Sequence, residues 1–214
     1  MIIHLIKKDM LLAKKYLWFL MCFIIVVPIF MDSKLGDISN GFIILLVTSF
    51  FTSYLYYNAV ETFEYKNNGL KIVKLLPVHV SDIVQAKYLA ILILFVMTAV
   101  VQQILSKVLS IDSISLSPFE ASLAFLITIT FMSILYPLLF KFGFEKTKFI
   151  GFIVVFLTPF ILPRVVNNID LSISSRTIHW LNSIYVPMIM IVGALGVWII
   201  SIQISSAILK RKSF

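Results

Sequence analysis

The residues of this sequence that could carry out chemistry are few and widely separated. His4, His79 and His179 lack the close pairing along the chain that zinc ligands show. Glu61 and Glu64 have the spacing that places two carboxylates on one helix face, as acid–base chemistry requires, but we expect a solvated helix end there. No phosphate-binding Gly-x-x-x-x-Gly-Lys-Ser/Thr motif occurs. The residues therefore predict no enzyme, no metal site and no cofactor bound by this chain.

The composition indicates that lipid is the solvent for most side chains. Hydrophobic residues make up 60% of the 214 residues and charged residues only 13%, about half the charged share of a soluble protein. The mean hydropathy is +1.03. Too little polar sequence remains to coat even one soluble domain.

Six apolar segments approach the length of about 20 residues that a helix needs to cross a bilayer. They are residues 16–31, 42–60, 88–105, 121–140, 149–163 and 184–209. Trp18, Tyr88 and Trp180 lie near their ends, where aromatic rings favour the membrane interface. We expect an all-α polytopic membrane protein, with residues 1–214 forming a single transmembrane domain.

The distribution of Lys and Arg predicts the orientation. Most of the 18 basic residues fall in residues 1–15, 61–87, 141–148 and 210–212, which alternate with the other connections. Both termini should therefore face the cytoplasm. The net charge of +8 reflects this asymmetry, and its expected partner is anionic membrane lipid rather than nucleic acid.

The central parts of the six predicted spans contain no ionisable residue. Ion-coupled carriers place acidic, basic or histidine side chains there to carry the coupling ion. A proton- or sodium-driven carrier is thus disfavoured, and energy for any transport should come from another molecule.

Residues 1–15 have the pattern of an amphipathic helix lying in the membrane interface. Apolar residues can share one broad helical face, and lysines occupy much of the remainder. The apolar set is Ile2, Ile3, Ile6, Met10 and Leu11. The alternative is ordinary basic sequence flanking the first span.

Residues 61–86 form the longest predicted cytoplasmic connection. Apolar residues alternate with charged ones after a turn at residues 67–69, and Pro77 ends the pattern. A short amphipathic helix fits, and it would lie either on the membrane surface or in a groove of a partner protein, because exposed apolar groups are costly in water.

Within this connection the sequence resembles the loop after span two of ABC-2-type transporter permeases. The resemblance is carried by Glu64, Gly69, Leu-Leu-Pro-Val at 75–78, Ile-Val at 83–84 and Ala-Lys-Tyr-Leu at 86–89. It is closest to the small bacterial branch that exports phenol-soluble modulins, although His79-Val80 replaces the Ser-Arg common there.

The resemblance implies that this short helix is a coupling helix that docks into a cytoplasmic ATPase. The residues it assigns to docking are Glu64, Lys66, Gly69, Leu70, Lys71, Ile72, Val73, Lys74, Leu75, Leu76 and Pro77. It also implies ABC ATPase subunits that bind ATP and Mg, and a second permease subunit, identical or different.

The predicted fifth span is short and carries Pro159 and Pro163 near its end. Proline removes a backbone donor, and interrupted segments in transporters often mark the conduit. The two prolines are thus candidates for a conduit or gate. A plain kinked helix explains them equally well.

Together these features predict the permease subunit of an ATP-driven exporter for amphipathic or hydrophobic cargo. The resemblance suggests cytotoxic or antimicrobial peptides, and lipid-like molecules fit the same apolar spans. The alternative is a non-transporting membrane scaffold, sensor or immunity protein that binds a partner through the same loop.

Overall fold

The computed structural model describes residues 2–35, 41–67, 69, 79–111, 114–168 and 185–211. Within these ranges the chain forms seven α-helices. They are α1 (Ile2–Leu12), α2 (Lys14–Leu35), α3 (Gly41–Lys66), α4 (Val80–Leu109), α5 (Pro118–Phe142), α6 (Phe144–Asn168) and α7 (Tyr185–Arg211). The prediction of an all-α protein is confirmed.

Five of these helices, α2, α3, α4, α5 and α7, are long and apolar enough to cross a membrane. The helix α6 contains the predicted span 149–163 and extends beyond it at both ends, but it is not among the five. The sixth span therefore stays a prediction. The helix α1 lies within residues 1–15, where an interfacial amphipathic helix is predicted, and that interfacial helix also stays a prediction.

The helix α3 forms the centre of the bundle, with α1, α2, α4, α5 and α6 packed around it. Apolar and small hydroxyl side chains are buried along most of its length. The Ser49 and Thr128 hydroxyls, 3.0 Å apart, connect α3 to α5. Small residues let helices approach closely when lipid gives no hydrophobic drive to association.

One end of the bundle, predicted to face outward, is closed by polar groups. The Gln102 side chain on α4 donates to the carbonyl of Gly41 at 3.0 Å and to that of Ile114 at 3.2 Å. Ser117 and Glu120 form a capping box at the start of α5, which satisfies backbone donors that a helix N-terminus leaves unpaired. These bonds join the start of α3, the end of α4 and the start of α5.

The helices α3 and α6 meet at Gly151. The Tyr54 hydroxyl on α3 donates to the backbone carbonyl of Lys148 at 2.7 Å. One turn along α6, the Tyr54 ring covers Gly151 so closely that a Cβ there would lie 2.6 Å from a ring carbon. Glycine is what lets these two helices approach at this point.

Candidate functional site

Five ionisable side chains from three helices meet at the end of the bundle opposite Gln102. Lys8 and Asp9 come from α1, Glu61 and Glu64 from the last turns of α3, and Lys87 from the beginning of α4. We call these five residues the charge cluster. The two glutamates reach it together because residues three apart share a helix face.

The two lysines bridge the three carboxylates. The Lys87 ammonium donates to Glu61 Oε1 at 2.5 Å and to Glu64 Oε2 at 2.7 Å. The Lys8 ammonium donates to the other oxygen, Glu64 Oε1, at 2.6 Å and lies 3.0 Å from Asp9 Oδ1. Glu64 is therefore the shared acceptor that connects α1 to α4 through α3.

The cluster is buried. Glu61 and Glu64 are each 3% exposed, and Lys87 and Asp9 are each 2% exposed. The expectation that Glu61 and Glu64 form a solvated helix end is therefore wrong, since α1 and α4 cover that face of α3. A buried charge costs several kcal/mol unless it is paired, so the short ion pairs explain how these side chains are tolerated.

Lys8 is the most accessible member, with 31% of its side chain exposed. Burial lowers the pKa of its ammonium group, but the carboxylates of Glu64 and Asp9 outweigh that effect and hold the pKa above its ordinary value. Because the pKa of Lys8 is higher in the folded protein than in the unfolded chain, the charged form stabilises the fold. This stabilisation is complete at pH values below the unfolded-state pKa of about 10.4, and it is lost as the pH rises through the folded-state pKa. Lys8 is thus charged throughout the physiological range.

A second polar group lies beside the cluster and connects α4, α5 and α7. The Ser201 hydroxyl donates to the carbonyl of Ser133 at 2.5 Å. Since a hydroxyl has only one hydrogen to donate, the bond between the Tyr88 hydroxyl and Ser201 Oγ, also 2.5 Å long, has Tyr88 as the donor. Ser205 lies 3.1 Å from the same Tyr88 hydroxyl. We call the hydroxyls of Tyr88, Ser201 and Ser205, together with the Ser133 carbonyl, the hydroxyl network. Tyr88 is buried among the helices, and its predicted place at the level of the membrane interface stays a prediction.

The cluster and the network meet on α5 as well. The Tyr136 hydroxyl donates to the backbone carbonyl of Lys87 at 3.4 Å, and its ring packs 4.8 Å from that of Tyr88. Among the described residues, no group of three His, Cys, Asp or Glu side chains is placed to hold a metal ion. The two ammonium groups donate to both glutamates, and Asp9 Oδ1 lies within ion-pair distance of Lys8 without a hydrogen bond. The arrangement therefore joins helices.

The predicted docking residues fall in different places. Glu64 lies in the charge cluster, Lys66 is exposed at the end of α3, and Gly69 lies against Glu64, since a Cβ there would be 3.2 Å from Glu64 Cα. Residues 70–77 lie outside the described residues. Pro159 and Pro163 fall within α6, and their side chains also lie outside the described part.

Sequence reasoning missed Lys8, Asp9, Lys87 and Tyr88 as site residues. One signal was available for Lys87. It is a single lysine at the start of an apolar helix, and two glutamates end the preceding helix. A connection that returns the chain to the same end of the bundle brings opposite charges close together.

A bundle of long apolar helices, joined by polar contacts at both ends, defines a multi-pass membrane protein. The sequence model of the ABC-2 family transporter proteins matches residues 4–210. The chain belongs to this family, and it is a permease-type membrane domain of an ABC-2 transporter. Neither the comparison with curated proteins nor the comparison with solved structures gives a match. The predicted family is confirmed, and the likeness to modulin exporters stays a prediction.

Proposed function

We propose that this chain is the permease subunit of an ATP-driven exporter whose energy comes from a separate ABC ATPase. The observation that carries the proposal is the family match over residues 4–210, nearly the whole chain. Two copies of the ATPase would bind ATP and Mg at the cytoplasmic side of a bacterial cell membrane. Two permease subunits, identical or different, would enclose the path between them.

The surface proposed to dock the ATPase is the coupling loop, residues 70–77. Its sequence combines the basic residues Lys71 and Lys74 with apolar residues that include Leu75 and Leu76. An amphipathic segment of this kind suits a groove in a partner, where the apolar side is buried. The charge cluster lies where α3 ends and α4 begins, so a force on the loop reaches the bundle there.

The proposed cargo is an amphipathic or hydrophobic molecule, with cytotoxic or antimicrobial peptides as the leading class. Large apolar side chains line the exposed faces of α2 and α6, among them Phe30, Phe152 and Phe160. Surfaces of this kind suit a cargo that leaves the inner leaflet of the membrane. Phe-rich faces also suit contact with lipid, so the assay must test peptide and lipid cargo side by side.

The test is purification of the candidate ATPase together with this chain, followed by reconstitution in vesicles. The wild-type chain should co-purify with the ATPase, and peptide cargo should stimulate ATP hydrolysis. Lys71→Glu and Leu75→Asp should each abolish both effects, whereas Lys107→Glu, at the far end of α4, should not. If both loop variants keep cargo-stimulated hydrolysis, the docking assignment is wrong. A wild-type chain that binds no ATPase would instead favour a scaffold, sensor or immunity role.

A further inference from the structure

Two residues of the sequence pattern shared with ABC-2 permeases contact each other rather than solvent. Glu64 and Lys87 lie on either side of the coupling loop, and their side chains form a buried ion pair. We propose that they are positioning residues that hold the two ends of the loop together, and that Lys8 extends this clamp to α1. The inference rests on the proposed function in one respect, namely that an ATPase acts on the loop.

The ion pair between Glu64 and Lys87 joins the two ends of the loop. Glu64 and Lys87 are 23 positions apart in sequence, yet 2.7 Å separates Glu64 Oε2 from Lys87 Nζ. The second bond from Lys87, to Glu61, fixes the lysine against two successive turns of α3. The two ends of the loop therefore cannot separate without breaking buried ion pairs. Removing one partner of such a pair is strongly destabilising, because it leaves an uncompensated buried charge.

Gly69 adds a backbone contact to the same clamp. It lies so close to Glu64 that a Cβ would sit 3.2 Å from Glu64 Cα and 3.3 Å from Glu64 Cγ. The chain thus folds back on α3 as soon as the helix has ended. Three members of the shared pattern, Glu64, Gly69 and Lys87, are accounted for by this arrangement. The ATPase contacts are then left to residues 70–77.

Lys8 and Lys87 differ in how firmly they are held. Lys87 is 2% exposed and bonds two glutamates, whereas the Lys8 side chain is 31% exposed and bonds only one of them. If α1 moves away, Glu64 keeps its ion pair with Lys87, so no carboxylate is left buried and unpaired. The connection of α1 to the clamp is therefore the weaker and more easily released of the two.

The clamp also reaches the remaining helices. The residue after Lys87 is Tyr88, whose hydroxyl bonds Ser201 on α7, and Tyr136 on α5 donates to the Lys87 carbonyl. A displacement of the loop would therefore move α3 and α4 together, pull on α1 through Lys8, and act on α5 and α7. This gives a physical route from the loop into the membrane helices.

The clamp itself can be tested without any ATPase. Spin labels on Asn67→Cys and His79→Cys, two exposed positions at the loop ends, would report the width of the loop base, with the exposed Cys22 replaced by Ser. We expect a narrow distance distribution that broadens severalfold with Lys87→Met and narrows again with Lys87→Arg. Lys107→Met, at an exposed lysine of the same helix, is the matched control. Should Lys87→Met fail to accumulate, Glu64→Gln, which changes the other partner of the same ion pair, supplies the same measurement. If the distribution of distances between the two labels does not broaden in these variants, the proposal is overturned.

The coupling role is tested in the reconstituted complex by the amount of cargo moved per ATP hydrolysed. Lys8→Met should still co-purify with the ATPase and hydrolyse ATP, but its transport per ATP should fall severalfold. Lys8→Arg should restore it, and Lys7→Met, at an exposed lysine of the same helix, should not change it. If Lys8→Met transports like the wild type, the clamp has no coupling role although the proposed function stands. Loss of ATPase binding by the wild-type chain overturns the proposed function and leaves the spin-label test intact.

Discussion

The ammonium group of Lys87 lies 2.7 Å from the carboxylate of Glu64, which belongs to the preceding helix. Glu64 also accepts from Lys8, so a single carboxylate holds three helices together. The net charge of the cluster is one unit negative, because three carboxylates face two ammonium groups. The sharing of Glu64 between two lysines makes the consequences of neutralising Glu61 and Glu64 different.

Glu64→Gln should destabilise the protein more than Glu61→Gln. The first change weakens two charge-assisted hydrogen bonds and the second weakens one, and a bond to a charged group contributes about 1.5–3 kcal/mol. Either change leaves two carboxylates facing two ammonium groups, so the difference between the variants comes from the number of bonds that each weakens. Thermal unfolding of the purified protein in detergent measures the difference, and equal melting temperatures for the two variants would contradict the shared role of Glu64.

Tyr88→Phe should lower the stability by about 1–2 kcal/mol, because it removes bonds from one hydroxyl to Ser201 and Ser205. It leaves the ring packing in place, so the bundle should still form. Tyr185→Phe is the matched control, since Tyr185 is 73% exposed. The same unfolding measurement applies, and a loss of equal size in both variants would show that the hydroxyl network contributes nothing.

Most of the helices could be predicted from the sequence because their signal is local. An apolar run of about 20 residues must be helical in lipid, where no backbone group can stay unpaired. The amphipathic pattern of α1 is likewise local. The charge cluster could not be predicted in this way, because Lys87 reads as an ordinary basic residue beside a span. Its pairing with Glu61 depends on how α4 packs on α3, which no residue periodicity specifies.

The same reason explains why the burial of Tyr88 could not be predicted. Tyr88 lies near a predicted span end, where sequence favours a place in the membrane interface. The packing of α7 against α4 and α5 buries the Tyr88 ring. The serines that bond its hydroxyl, Ser201 and Ser205, lie on α7, more than a hundred positions further along the sequence. Hydroxyl residues in an apolar helix are a signal for helix contacts, but the sequence does not say which helix they face.

Gln102→Met should destabilise the end of the bundle where α3 begins by about 1–3 kcal/mol. The change removes two bonds, to the carbonyls of Gly41 and Ile114, and each typical bond contributes about 1 kcal/mol. The side chain keeps its length, so packing changes little. Gln203→Met, at an exposed position of α7, should leave the melting temperature unchanged. Hydrogen exchange of the α3 N-terminus should rise in the first variant alone.

Gly151→Ala should destabilise the protein, whereas Gly193→Ala should not. A Cβ at position 151 would lie 2.6 Å from the Tyr54 ring and 3.2 Å from the Leu135 side chain. Tyr54 cannot swing aside freely, because its hydroxyl is bonded to the carbonyl of Lys148. Overpacking of this kind typically costs about 1–3 kcal/mol. At Gly193 nothing lies within 4 Å of the added atom, and Ala in a helix is favoured over Gly by up to about 1 kcal/mol.

A double-mutant cycle separates this clash from an effect on the helix itself. Tyr54→Ala removes the ring that the new Cβ would meet, so adding Gly151→Ala to it should cost much less than in the wild-type chain. The unfolding free energies of the wild type, the two single variants and the double variant give the coupling energy between positions 54 and 151. A cost for Gly151→Ala that is unchanged by Tyr54→Ala would mean that the approach of α3 and α6 does not depend on this glycine.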